Sequence, residues 1–178
     1  MISESEYWKK DLEKNVVFFH GKLYQKRWNQ NSFAALEKKI MLSCYIVRKL
    51  YESNKIPKTL FESSLYLYSY KNKGIVVDLL NSHRFNDLYE IDKPVKITKP
   101  FSYVINQIIH SYTFRFTFES KNKLCGLAFN SDRSKKNELY MLRLADFIDV
   151  LSPVAECYVG RMVFKRNKNG EMVVVEME

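Results

Sequence analysis

The 178-residue chain reads as an α+β domain: an antiparallel sheet of five to seven strands packed by helices, with a hydrophobic helix at its centre. Three observations predict this class. The N-terminal third is apolar at helical spacing. From residue 64 onward, short stretches alternate at period two between turn-forming phrases. No internal repeat, low-complexity segment or linker divides the chain, so residues 1–178 read as one domain. Helices first, then mostly strands with single helices among them, is an α+β order with the helices on one face of the sheet.

Ser3 with Glu6 three residues on has the pattern of a capping box. Behind it Trp8, Leu12, Val16, Phe19 and Leu23 recur on one face, predicting a helix over 4–27 with Gly21 as the place for a kink. WNQNS interrupts it, and Asn31 or Ser32 supplies the cap of a second helix, about 32–53. There Phe33, Leu36, Ile40, Cys44, Val47 and Tyr51 form a stripe that Met41, Leu42, Tyr45 and Ile46 widen. So narrow a polar face predicts a central helix packed on both sides. Arg48, which follows the apolar run, either snorkels to water or is buried with a carboxylate.

Pro57 ends that pattern or starts a short new helix. LYLYSY, KNKG and GIVVDLL then predict a β-hairpin, with Leu65, Leu67 and Ser69 on one face and Tyr66, Tyr68 and Tyr70 on the other. Residues 81–100 read as irregular, with a short extended piece, VKITK, between Pro94 and Pro100. A short helix, about 101–110, leads into a strand over 111–119 whose Tyr112, Phe114, Phe116 and Phe118 share one face. KNK turns back into LCGLAF, and the polar loop NSDRSKKN leads to ELYMLRL. A helix over 145–157 carries Asp146 near its start, and Pro153 is expected to bend or divide it. A terminal hairpin turns at Asn169-Gly170.

Lys and Arg number 29 against 20 Asp and Glu, a formal net charge of +9. This favours polyanionic partners, either nucleic acid or an acidic protein. Arg84, Arg115, Arg133, Lys135 and Lys136 are the candidate anion contacts, and the tyrosine row of residues 66–70 is either a stacking platform for bases or a core face. Turn 120–123 and loop 130–138 flank one strand and so fall at opposite ends of the sheet, which argues against a continuous basic groove. Cys44, Cys125 and Cys157 are odd in number and far apart, as expected of reduced thiols in a cytoplasmic protein. No run of apolar residues is long enough for a membrane span. Histidines at 20, 83 and 110 have no metal-ligand spacing, and no nucleotide loop occurs, so no metal and no cofactor is predicted. Nuclease signatures are missing as well: neither Arg48 nor Arg84 has a His a few residues downstream on the same helix.

Two places hold groups suited to chemistry. Asn106 and His110 lie one turn apart at the end of a helix, where an imidazole serves either as general acid or base or as a partner for the free carbonyls of the last turn. His83 and Arg84 lie in NSHRFND, an irregular polar segment. Acid–base catalysis centred on His110 requires Asn106, His83 and Arg84 to meet it in one pocket. The segments KRWNQNSFAALEKKIMLSCYIVRKL, NQIIHSYTF and GLAFNSDR resemble a group of small uncharacterised bacterial proteins with no established activity; the resemblance implies a bacterial, cytoplasmic protein and leaves the reaction open. Three functions follow as expectations: a basic binding module, a small enzyme built on His110, and an interaction protein that self-associates through the edge of its C-terminal hairpin.

Overall fold

The first long turn of the chain is closed by Asn29, whose Oδ1 accepts the Ser32 N–H at 2.9 Å and starts α2 (Gln30–Glu52). Helix α1 (Ser5–Leu23) precedes it, and here the predicted capping box is not formed. Glu6 turns instead to Lys10, one turn on, at 2.6 Å. The two helices are joined inside by a buried polar contact: Asn15 Nδ2 donates to Ser43 Oγ at 3.1 Å, and Lys39 Nζ donates to Asn15 Oδ1 at 2.7 Å. In this computed structural model, which describes residues 2–119 and 122–177, the remaining elements are α3 (Lys58–Phe61), β1 (Ser64–Lys71), α4 (Phe85–Leu88), β2 (Val95–Pro100), α5 (Phe101–Ile109), β3 (Ser111–Phe118), β4 (Leu124–Ser131), β5 (Glu138–Arg143), α6 (Leu144–Glu156), β6 (Met162–Arg166) and β7 (Met172–Met177). The class is α+β.

Five strands form one antiparallel sheet in the order β2-β1-β5-β4-β3, and β6 and β7 pair separately. Helices α5 and α6 lie on one face of the five-stranded sheet, with α1 packed on α6 and α2 on α5. The stripe Leu36, Ile40, Cys44, Val47 and Leu50 of α2 is fully buried among α1, α3 and α5. The outer side of this hydrophobic helix meets solvent, however, with Leu42 and Tyr45 each 45% exposed. Burial pushes the Cys44 thiol far up. Among the described residues no helix is long and apolar enough to cross a membrane.

The hairpin expected after β1 does not form. β1 is an interior strand, already paired with β2 on one side and β5 on the other, so GIVVDLL has no edge to join. Side chains turn the chain away instead. Asn72 Oδ1 accepts the N–H groups of Gly74 and Ile75, and Asp78 Oδ1 those of Leu80 and Asn81. The segment then crosses the second face of the sheet, where Val77, Leu88 and Tyr89 bury Ala128 and Leu139 in a smaller core. The extended piece between Pro94 and Pro100 is the actual partner of β1, an edge strand.

Strand β3 departs from simple alternation. A register shift between Ser111 and Thr113 leaves Tyr112 as the extra residue. Phe114 and Phe116 therefore face the main core, while Tyr112 joins the smaller one. A second shift lies beside Phe118, and Gly126 of β4 sits hard against β5. A Cβ at that position would lie 2.0 Å from the Leu142 carbonyl oxygen, so only glycine fits. Pro153 leaves α6 undivided, and Ser152 Oγ donates to the Ile148 carbonyl at 3.0 Å just ahead of it. Three joins have almost no loop: β2 runs straight into α5, α5 reaches β3 through His110 alone, and β5 runs straight into α6.

Gly126→Ala is expected to cost at least about 2 kcal/mol, since a backbone carbonyl rather than a flexible side chain must give way. Urea unfolding of the variant against the parent measures this; an unchanged midpoint would place β4 and β5 farther apart than described.

Candidate functional site

Helix α5 is amphipathic, with Phe101, Val104, Ile105 and Ile108 fully buried between the sheet and α2. Its other face is left to Asn106 and His110, one turn apart and both exposed. Arg48 reaches them from α2. It follows the apolar run of that helix, and with its side chain 37% exposed it takes a middle course between snorkelling and burial. Its Nε donates to Glu52 Oε1 at 2.9 Å and its Nη1 donates to Asn106 Oδ1 at 3.4 Å. Lys49 Nζ holds the second oxygen of Glu52 at 2.6 Å. Donation into Oδ1 sets the orientation of the Asn106 amide and leaves its amino group free to donate.

The third wall is the loop after β4, which is pinned to α5 by Gln107. Gln107 Oε1 accepts from the Ser131 N–H at 3.2 Å and from Ser134 Oγ at 2.9 Å. This anchoring fixes Asp132 and Arg133 at the rim. Together Arg48, Asn106, Gln107, His110, Ser131, Asp132 and Arg133 line a cleft of ≈ 520 Å³. Its charge balance is positive. Asp132 is engaged by Lys135 at 2.8 Å, and Arg133 has no carboxylate partner among the described residues. Two guanidiniums, an imidazole and an amide amino group thus face a single, already paired carboxylate.

His110 does close its helix, but with its backbone: its N–H donates to the Asn106 carbonyl at 3.1 Å. Among the described residues its ring takes no hydrogen bond, so the imidazole is not spent on capping.

The proposed union of His83 and Arg84 with His110 is not realised. His83 and Arg84 line a separate cleft of ≈ 330 Å³ with Phe85, Asn86 and Asp87. They belong to the segment that covers the second face of the sheet, and the Asx turns described above route that segment away from α5. Arg115 is opposite Ala128 in β4, hence also on the second face. Lys135 is committed to structure, paired with Asp132 and with its Nζ 3.3 Å from the centroid of the Tyr112 ring. Lys136 is exposed but does not line the cleft. The tyrosine row is also divided: Tyr66 is exposed beneath Lys96, while Tyr70 packs into the smaller core. Of the candidates read from sequence, the cleft gathers Asn106, His110 and Arg133; Arg48, for which the sequence leaves open water or a carboxylate partner, and Gln107, to which it gives no role, join them. The signal for Arg48 was present, a cation closing an apolar run, but its partner helix lies more than fifty residues away. Among the described residues no group of three or more His, Cys, Asp or Glu is placed to hold a metal ion.

Comparison with protein-family models, with curated protein sequences and with solved structures finds no match.

The Glu52 carboxyl is held below its ordinary value of 4.5, mainly by the hydrogen bonds from Lys49 and Arg48. A lowered folded value means the stabilisation is complete above 4.5 and is lost as pH falls below it. Because these side chains are well exposed, the contribution is less than about 1 kcal/mol. Glu52→Gln is therefore expected to be slightly destabilising at neutral pH, with the difference closing as the solution is acidified; denaturant midpoints at a series of pH values measure both.

Proposed function

We propose that this protein is a nucleic-acid-binding module whose central phosphate contact is the cleft between α2, α5 and the loop after β4. One observation carries the reading: Arg48, Asn106, His110 and Arg133, from three distant segments, converge on one solvent-open cleft. Guanidinium groups match the paired oxygens of a phosphate, and the surrounding chain of net charge +9 adds long-range attraction for a polyanion. The fixed parts favour a bound rather than a transient anion. Arg48 is tethered by Glu52 and Asn106, and the Arg133 loop is tied to α5 by Gln107, so little ordering remains to be done on binding.

Fluorescence anisotropy with single-stranded RNA and DNA oligonucleotides tests this. Binding is expected at about 50 mM salt and is expected to weaken steeply by about 200 mM, as phosphate contacts release counterions. Arg133→Glu, an exposed change, is expected to weaken it at least about tenfold, equivalent to about 1.4 kcal/mol. Absence of affinity for either polymer at the lower salt defeats the reading.

A second reading, self-association, is favoured by the C-terminal hairpin. β6 and β7 form a two-stranded sheet with unpaired outer edges, and Phe164, Met172 and Val175 lie exposed on it. Light scattering of the whole chain is expected to give a dimer mass that reverts to monomer in Phe164→Lys; a monomer mass for the parent at its highest soluble concentration removes this reading.

A further inference from the structure

We infer that the same cleft cleaves the RNA it binds, by transphosphorylation with His110 as general base; the inference rests on the phosphate-binding reading above. His110 is at the floor of the cleft with a ring that no protein group engages among the described residues, although the expected task for a histidine at this position was to satisfy the last carbonyls of its helix. A neutral imidazole has the proton affinity to act near pH 7. Two cations from different elements line the same cleft, Arg48 from α2 and Arg133 from the loop after β4. The sequence shows no arginine and histidine at catalytic spacing on one helix; Arg48 and His110 instead line one cleft from two helices, which the hydrogen bond from Arg48 to Asn106 joins.

A phosphodiester seated between two guanidiniums carries its own nucleophile when the sugar is ribose. The imidazole of His110 takes the 2′-hydroxyl proton as the 2′-oxygen bonds to the adjacent phosphorus. The bond from phosphorus to the 5′-oxygen breaks, and that oxygen leaves with a proton from a water molecule of the open cleft. The imidazolium returns its proton to the hydroxide so formed. The products are a 2′,3′-cyclic phosphate and a 5′-hydroxyl, with nothing oxidised or reduced. Arg48 and Arg133 serve the step by stabilising the negative charge that grows on the non-bridging oxygens as phosphorus becomes five-coordinate. The Asn106 amino group, held toward the cleft by Arg48, is a further donor for the same oxygens.

The experiment uses the whole chain with one labelled single-stranded RNA and its fully 2′-O-methylated counterpart. Both are expected to bind with similar affinity, since binding uses phosphates, but only the unmodified strand is expected to be cut. Its fragments should end in 2′,3′-cyclic phosphate and begin with a 5′-hydroxyl. His110→Ala, an exposed change, is expected to lose at least about a hundredfold in cleavage rate measured with the RNA saturated by protein, so that any loss of affinity does not enter the rate. Binding without cleavage overturns the inference and leaves the binding module standing. Cleavage that survives His110→Ala, or fragments ending in 3′-hydroxyl, also overturns it. Failure to bind either strand removes the binding reading and this inference together.

Discussion

The seating of α5 on the sheet is the constraint on which the rest depends. Phe101, Val104, Ile105 and Ile108 are fully buried, each contributing about 1.5–3 kcal/mol by removal from water. They occupy the space between the sheet and α2, so the same nine-residue helix is both the mortar of the main core and the floor of the cleft. Its length is set by its neighbours, because strands bind it at both ends. The polar face that remains is narrow, and Asn106, Gln107 and His110 fill much of it. Each has a separate task there: Asn106 meets α2, Gln107 holds the loop after β4, and His110 is left open to solvent.

The cleft is positive because of how the carboxylate within it and the one beside it are used. Glu52 is occupied by Lys49 and Arg48, and Asp132 by Lys135. These contacts orient cations more than they neutralise the cavity, since surface pairs are weak in energy but effective in fixing geometry when shared. The smaller core on the opposite face supports the arrangement from behind. Asn130 Nδ2 donates to Tyr89 Oη at 2.7 Å, and Tyr89 Oη donates to the Lys135 carbonyl at 2.8 Å, so the loop that presents Arg133 is tied to both faces of the sheet.

Much of the architecture is legible in residue order. The alternation of Leu65, Leu67 and Ser69, the stripe Leu36, Ile40, Cys44 and Val47 and the apolar face of 145–157 all lie where periodicity puts them. What misleads is local resemblance without knowledge of neighbours. GIVVDLL has the composition of a strand, yet β1 has no free edge for it, and the short extended piece 95–100 takes that place. The aromatic row of β3 loses Tyr112 to a bulge that no residue of the row announces. For the cleft, Asn106 and His110 are legible as a pair because a helix brings them together at fixed spacing. Arg48 is not, because its meeting with Asn106 depends on helix packing between segments distant in the chain. The pairing of His83 with His110 fails for the converse reason: chemical type alone suggests it, and the loop that carries His83 is steered by Asn72 and Asp78 to the other side of the sheet.

The near absence of linker residues around α5 has a geometric consequence for tolerated change. Each residue of an α-helix turns the axis by about 100°. One amino acid inserted between Pro100 and Asn106 would swing that asparagine about a quarter-turn off Arg48 while pressing Gln107 into the place of Ile108. Length polymorphism is thus forbidden at this join by the core and the cleft simultaneously, whereas the Asx-rich crossing over the second face has room to absorb it.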